Sequence, residues 1–152
     1  MSATPSKARW RAAWNRGADA LERWLGLDIV LLASRVGIAA VFFQSGRTKV
    51  DGLLGVSEGA VVLFRDEYRL PLLDPAVAAH AAAYAEHLFP LLLVIGLFTR
   101  GAALALLGMT LVIQVLVYPA AWPTHLSWAA PLLLLVARGA GALSIDRRLG
   151  LR

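Results

Sequence analysis

An all-α bundle of four transmembrane helices, preceded by an amphipathic helix at the membrane surface, is the fold this sequence predicts. Three observations predict it. Of 152 residues, 59% are hydrophobic and 16% charged, with a mean hydropathy of +0.65, against about 45–50% apolar and ~25% charged in soluble domains. That excess cannot be hidden in one water-soluble core of this size. The apolar residues gather into four stretches, each near the ~20 residues that cross a bilayer. Basic residues collect at the two chain ends and at one short turn. This composition excludes a soluble enzyme, a disordered linker and a multidomain protein. The lack of cysteine excludes a disulfide framework, a thiol relay, an iron–sulfur cluster, a covalently attached haem and a cysteine zinc site. The net charge of +5 reads as membrane sidedness, and no nucleic-acid partner is expected.

Residues 1–26 carry Trp10, Trp14, Leu21, Trp24 and Leu25 at helical spacing, with Arg9, Arg16 and Arg23 on another sector. That pattern predicts a retained helix lying among lipid headgroups. A cleaved signal peptide does not fit, because its apolar stretch would directly follow a short basic start.

Residues 27–147 form the membrane domain, with spans predicted at about 28–46, 76–98, 101–118 and 126–143, and residues 148–152 form a tail. Thr99-Arg100-Gly101 turns the second span into the third, and the Tyr118–His125 stretch, with Pro119 and Pro123, reverses the third into the fourth. Short connections make the last three spans antiparallel neighbours. In the loop before the second span, Ser57–Tyr68 predicts a small surface helix with Ser57 as its cap and Val61, Val62 and Phe64 on the membrane. Trp122 and Trp128 read as anchors at the outer interface, with His125 between them as a polar loop residue. The N-terminal basic residues, Arg100, Arg147, Arg148 and Arg152 fall on one side of this layout, and the loop at 119–127 has no Lys or Arg. Both termini are therefore expected in the cytoplasm, with the chain a multi-pass protein of the cell (inner) membrane.

Ionisable residues inside a span cost about 2.5–3.5 kcal/mol each on insertion scales, so each needs a partner or a purpose. Counting along the helices puts Glu86, His87 and Gln114 in one middle layer, ~17–20 Å from the cytoplasmic side, and Arg35 ~11 Å deep. Arg35, Phe42, Gly46 and Lys49 share one face of the first span, and His80, Tyr84 and His87 share a sector of the second. The expectation is that Arg35 reaches Glu86. Two readings of that pair stay open: a buried ion pair that fixes packing, or one wall of a polar pocket. Pro90 cannot donate to the Glu86 carbonyl, which predicts a kink and a free acceptor there. His80 and His87 lie ~10.5 Å apart along the helix, too far to share one ion, so no metal site is expected.

Several stretches, in order, resemble one known family. Arg35 followed by Gly46-Arg47-Thr48-Lys49 resembles an R…GxxK signature at the first span. Ala85-Glu86-His87 through Gly96-Leu97-Phe98-Thr99-Arg100 resembles an AE…LLLxxGLxTR second span and turn. Gly139–Asp146 resembles a terminal GxGxxSxD. Together these resemble the DoxX family over about residues 28–147. The resemblance implies a four-helix membrane bundle whose family-type polar residues are Arg35, Lys49, Glu86 and Arg100, with Ser144 and Asp146 at the cytoplasmic end. It also implies a link to membrane redox systems, since the family takes its name from a subunit of a thiosulfate:quinone oxidoreductase.

The leading functional expectation is a small membrane subunit of a redox complex that contacts quinone. His80, Tyr84, His87, Gln114 and Arg35 would supply donors to the quinone oxygens, and Glu86 would relay a proton. No intrinsic cofactor is expected. Any redox centre belongs to a partner or to the substrate, with quinone the candidate ligand. The expected partners are the lipid bilayer and other membrane or redox proteins, and a homo-oligomer is compatible with the sequence. Two alternatives stand beside this: a non-catalytic anchor or assembly subunit, and a small-molecule or metal-ion carrier. Four spans without an inverted second half argue against the carrier as a monomer.

Overall fold

A computed structural model describes residues 5–151. The first four residues of the expected N-terminal helix, and Arg152 of the expected tail, lie outside the described residues. The described residues are all-α apart from one two-rung hairpin, and four of their helices are long and apolar enough to cross a membrane.

Helix α1 runs Pro5–Arg47 but breaks at Gly26, whose φ of 50° and ψ of 148° are not helical. A glycine takes that backbone without steric penalty. The break separates an arm at 5–25 from a span at 27–47. On the arm Trp10, Trp14, Leu21 and Trp24 are all exposed, and Trp10 stacks on Trp14 with centroids 6.1 Å apart. Past α1, strands β1 (Val50–Asp51) and β2 (Gly55–Val56) pair antiparallel. Gly52 turns the hairpin at φ +65°, and Arg47 donates to its carbonyls at Gly52 and Leu53.

Helix α2 (Glu58–Leu63) is capped by Ser57, whose hydroxyl accepts from Ala60 N–H at 3.1 Å. It widens into a π turn over Phe64–Tyr68, closed by the Arg69 N–H to the Phe64 carbonyl. The apolar face expected on the membrane instead packs inward: Phe64 is buried with Ala60 against Ala78 and Ala79, and Val61 is partly buried there. Alanines on the facing helix let the two backbones approach, which makes this contact available. Val62 alone of the three is exposed.

Helices α3 (Pro75–Ile95), α4 (Thr99–Val112) and α5 (Trp122–Arg138) follow through short turns. Asp74 caps α3 by accepting from Ala76 and Val77 N–H, and Pro75 occupies its first turn, where no N–H is needed. The helix continues through Pro90 to Ile95. Gly96 ends it at φ +69°, with Leu97 N–H closing back onto the Leu92 carbonyl. That is the glycine-dependent left-handed stop. Helix α4 ends in a second π turn, Ile113–Val117. Helix α5 differs from the expected 126–143 at both ends. Pro123 falls in its first turn, where a missing N–H is harmless, and Gly139 and Gly141, both at positive φ, stop it early. A short α6 (Ile145–Arg148) closes the chain.

The spans form a ring in which α1 touches α3 and α5, and α4 lies between α3 and α5. Its core combines Leu31, Ile38, Phe42, Leu93, Leu106 and Leu132 with Ala39, Ala102 and Ala103 at the closest approaches. No more than 33% of any span's most apolar stretch is buried inside the protein. Leu88, Leu91, Leu104, Leu111 and Leu133 instead point outward. Such a surface is stable only in lipid.

Candidate functional site

The intramembrane charges sort into two separate groups, one at the C-terminal end of α3 and one near its middle. Arg35 has no exposure. Its Nη1 donates to the Leu93 and Val94 carbonyls at 3.3 and 3.4 Å, and its Nη2 donates to the Leu143 carbonyl at 2.5 Å. The Leu93 and Val94 carbonyls lie in the last turn of α3, the negative end of its dipole, and Leu143 lies in the segment before α6. On the other side of the same turn, Asp146 accepts from Phe98 and Thr99 N–H at 2.7 and 2.9 Å. A cation thus caps the end of α3 and a carboxylate caps the start of α4. Ser144 caps α6 through Arg147 N–H, and Asp28 accepts from Ala142 N–H. Gly96 sits between these groups: a Cβ there would overlap Arg35 Nη1 and Ser144. Arg100 donates to the Val136 carbonyl.

The expected Arg35–Glu86 contact is therefore not made. The reason lies in side-chain direction. A helical Cα–Cβ bond tilts toward the N-terminus, so Arg35 leans away from the middle layer and toward the end of α3. The partner of Glu86 is Lys49, with Nζ to Oε2 at 2.7 Å and each side chain 4% exposed. Lys49 lies just beyond the end of α1 and reaches back, also donating to the carbonyl and hydroxyl of Ser45. Along α3 the two sites lie seven to eight residues apart, Leu93–Val94 against Glu86, or ~11 Å.

His87 packs beside this pair. Its Nδ1 lies 2.6 Å from the Ala83 carbonyl. A carbonyl only accepts, so Nδ1 carries the proton and Nε2 is a lone-pair acceptor. That Nε2 is buried without a partner among the described residues. Its ring meets Phe43 edge-on and presses on Gly46, where a Cβ would come within 2.9 Å. His80 and Tyr84 do not join it: both are exposed on the outer face of α3. Glu86 lines a cavity of about 280 Å³ between α3 and α4, roofed by Phe64, Tyr68 and Leu70. Over that roof, Tyr118 donates to Glu67, which pushes its phenol pKa up, and burial pushes Tyr68 up in the same direction.

Gln114 belongs to neither charged site. Its Nε2 donates to the Pro119 carbonyl at 2.8 Å, which turns Oε1 toward His125 Nδ1, 2.7 Å away. Nδ1 must then hold the proton, and Nε2 of His125 is left as an acceptor. His125 was expected in a loop, but it lies in α5 and is 4% exposed. With Gln114, Thr110 and Trp122 it closes one end of an apolar groove of about 610 Å³ between α4 and α5. Sequence reasoning missed it. The signal was present: Gln114 lies four residues before Tyr118 and His125 four residues after Ala121, so an antiparallel hairpin brings them face to face. The expected donor set thus does not converge on one pocket, since Arg35, Gln114, His87 and the His80–Tyr84 pair occupy four separate places. Among the described residues no cluster of three or more His, Asp and Glu is placed to hold a metal ion.

Comparison with known proteins gives two matches. The DoxX family profile matches residues 30–119. An uncharacterized protein of Haemophilus influenzae is 30% identical over 141 residues, covering 84% of this chain and 88% of that protein. No solved structure matches the chain.

The Lys49–Glu86 pair predicts a coupled loss. Lys49→Met or Glu86→Gln alone leaves one buried charge unpaired and should lower unfolding free energy in detergent by about 3–5 kcal/mol, and the double change should recover most of it. Additive losses in the double variant would show that the two side chains do not depend on each other.

Proposed function

The chain belongs to the DoxX family of membrane proteins, and from that premise we propose that it is a small subunit of a redox complex in the cell membrane that holds a quinol between α4 and α5. One observation carries the reading: His125, its Nδ1 proton committed to Gln114, offers a lone pair at the polar end of an otherwise apolar groove. A quinol hydroxyl donates to such an acceptor, whereas a quinone carbonyl has nothing to give it. The groove walls, Leu104, Leu107, Leu111 and Leu126, suit a ring and an isoprenoid tail. Taking the hydroxyl proton makes His125 an imidazolium whose Nδ1–H still donates to Gln114. The second hydroxyl proton leaves to solvent and both electrons pass to a redox centre of a partner subunit, so the quinol departs as quinone. This role moves from the expected donor set to a residue outside it.

A specific observation favours the anchor reading as well. Arg35, Lys49, Glu86 and Asp146 all spend their charges on internal contacts, so the family-type polar residues serve the bundle. The two readings differ at the α4–α5 groove. A short-tailed quinol kept reduced should bind the purified protein, and its oxidised form should bind more weakly. His125→Phe should lower quinol affinity about tenfold, the scale of one buried hydrogen bond. Leu111→Trp, at an exposed groove position, should block binding with the fold intact. Unchanged binding in both variants would leave the anchor reading.

Both termini are proposed to face the cytoplasm of a bacterial inner membrane. The end of the bundle that carries Arg100, Arg147 and Arg148 holds the basic excess, as the inward-facing side does. A reporter after Arg152 should read cytoplasmic and one inserted near Asp66 external. The opposite pair of readings would invert the protein.

A further inference from the structure

A second concavity, of about 600 Å³, opens at the Arg35 end of the bundle, between the break at Gly26 and the chain's last turn. Three guanidiniums border it: Arg100 from the first turn of α4, Arg138 from the last residue of α5, and Arg147 from α6. Two carboxylates border it too, but both are committed to backbone. Asp28 accepts from Ala142 N–H, and Asp146 accepts from Phe98 and Thr99 N–H. Among the described residues the ion pairs are Lys49–Glu86 and Arg65–Asp66, so no carboxylate pairs with the three arginines. Arg100 is fixed by its bond to the Val136 carbonyl and lies over Gly139, where a Cβ would come 3.5 Å from its Nε. Arg138 and Arg147 have no side-chain partner among the described residues and are exposed.

We propose that this pocket holds the phosphate of one anionic phospholipid. A phosphate diester offers acceptor oxygens that guanidinium forks match. The three arginines exceed the two carboxylates by one positive charge, which matches one phosphodiester. Free phosphate shares that chemistry, and two features favour the lipid. The pocket sits where the spans end: Arg138 closes α5, Arg100 opens α4 and Leu27 opens the first span. Its wall below the arginines is apolar, from Leu27, Leu31 and Phe98, with Phe98 62% exposed. A headgroup on the arginines therefore sends its acyl chains along an apolar surface already turned toward lipid. The arm at 5–25 leaves from the rim of the pocket, so an occupied pocket ties the bundle to the layer in which that arm's tryptophans lie.

The full-length protein in neutral detergent, titrated with dioleoyl phosphatidylglycerol and read by native mass spectrometry, tests this. One phosphatidylglycerol should stay bound per chain where phosphatidylcholine with the same tails does not. Arg138→Gln/Arg147→Gln, which spares the Arg100 bond to α5, should weaken retention roughly thirtyfold at about one kcal/mol per arginine. Arg9→Gln/Arg16→Gln, on the arm, should keep the bound lipid. Equal retention in the first double variant, or equal retention of phosphatidylcholine, would overturn the site. Displacement of the lipid by inorganic phosphate would assign the arginines to a free anion and overturn the lipid.

Discussion

A guanidinium with no exposure, that of Arg35, ties α1 to the end of α3 and to the segment before α6. An arginine inside a span costs about 2.5–3.5 kcal/mol to insert, and each hydrogen bond from a charged group returns about 1.5–3. Two bonds to carbonyls are therefore enough to hold it, and Arg35 makes three. The Leu93 carbonyl also accepts from Gly96 N–H at 3.2 Å, so Arg35 chiefly serves the carbonyls of Val94 and Leu143, where water is scarce. The tight turn from α3 to α4 follows from the same constraint. Gly96 must be a glycine for its φ and for the space Arg35 occupies, and Asp146 completes the turn from the other side. The pocket of arginines exists because Asp28 and Asp146 are consumed in building this end.

A second unit, where α1 ends against the middle of α3, is organised around Lys49 and Glu86, a compact pair closed in by Ser45, Gly46 and His87. Between the two groups the ring is apolar, with buried alanines on α1, α3 and α4 where neighbouring helices approach. The third polar group, Gln114 with His125, stands outside both networks and faces the α4–α5 groove. That separation is what allows a ligand role there without disturbing the charges that hold the bundle.

The spans, the short reversals and the cap at Ser57 were legible because each depends on local chemistry: apolar length, proline and glycine, and a hydroxyl before a helix. Pairings between helices were harder. Arg35 and Glu86 are matched in charge and near in depth, and pairing them neglects the tilt of a helical side chain toward its N-terminus. Lys49 was on the family-type roster, but its reach back into the membrane depends on where α1 ends. His125 was read as loop because it closely follows two prolines, although Pro123 starts a helix as readily as it ends one. The β1–β2 hairpin left no alternating pattern to read, since each strand has two residues.

The central claim is that Arg35 and Glu86 serve two separate structural units, one at the end of α3 and one at its middle. A double-mutant cycle on Arg35→Met and Glu86→Gln, read as unfolding free energy in one detergent, tests it most directly. The account predicts two losses that add to within about 0.5 kcal/mol, as for sites without shared partners. Recovery of stability in the double variant by more than about 1 kcal/mol would mean that the two charges face each other, and would contradict it.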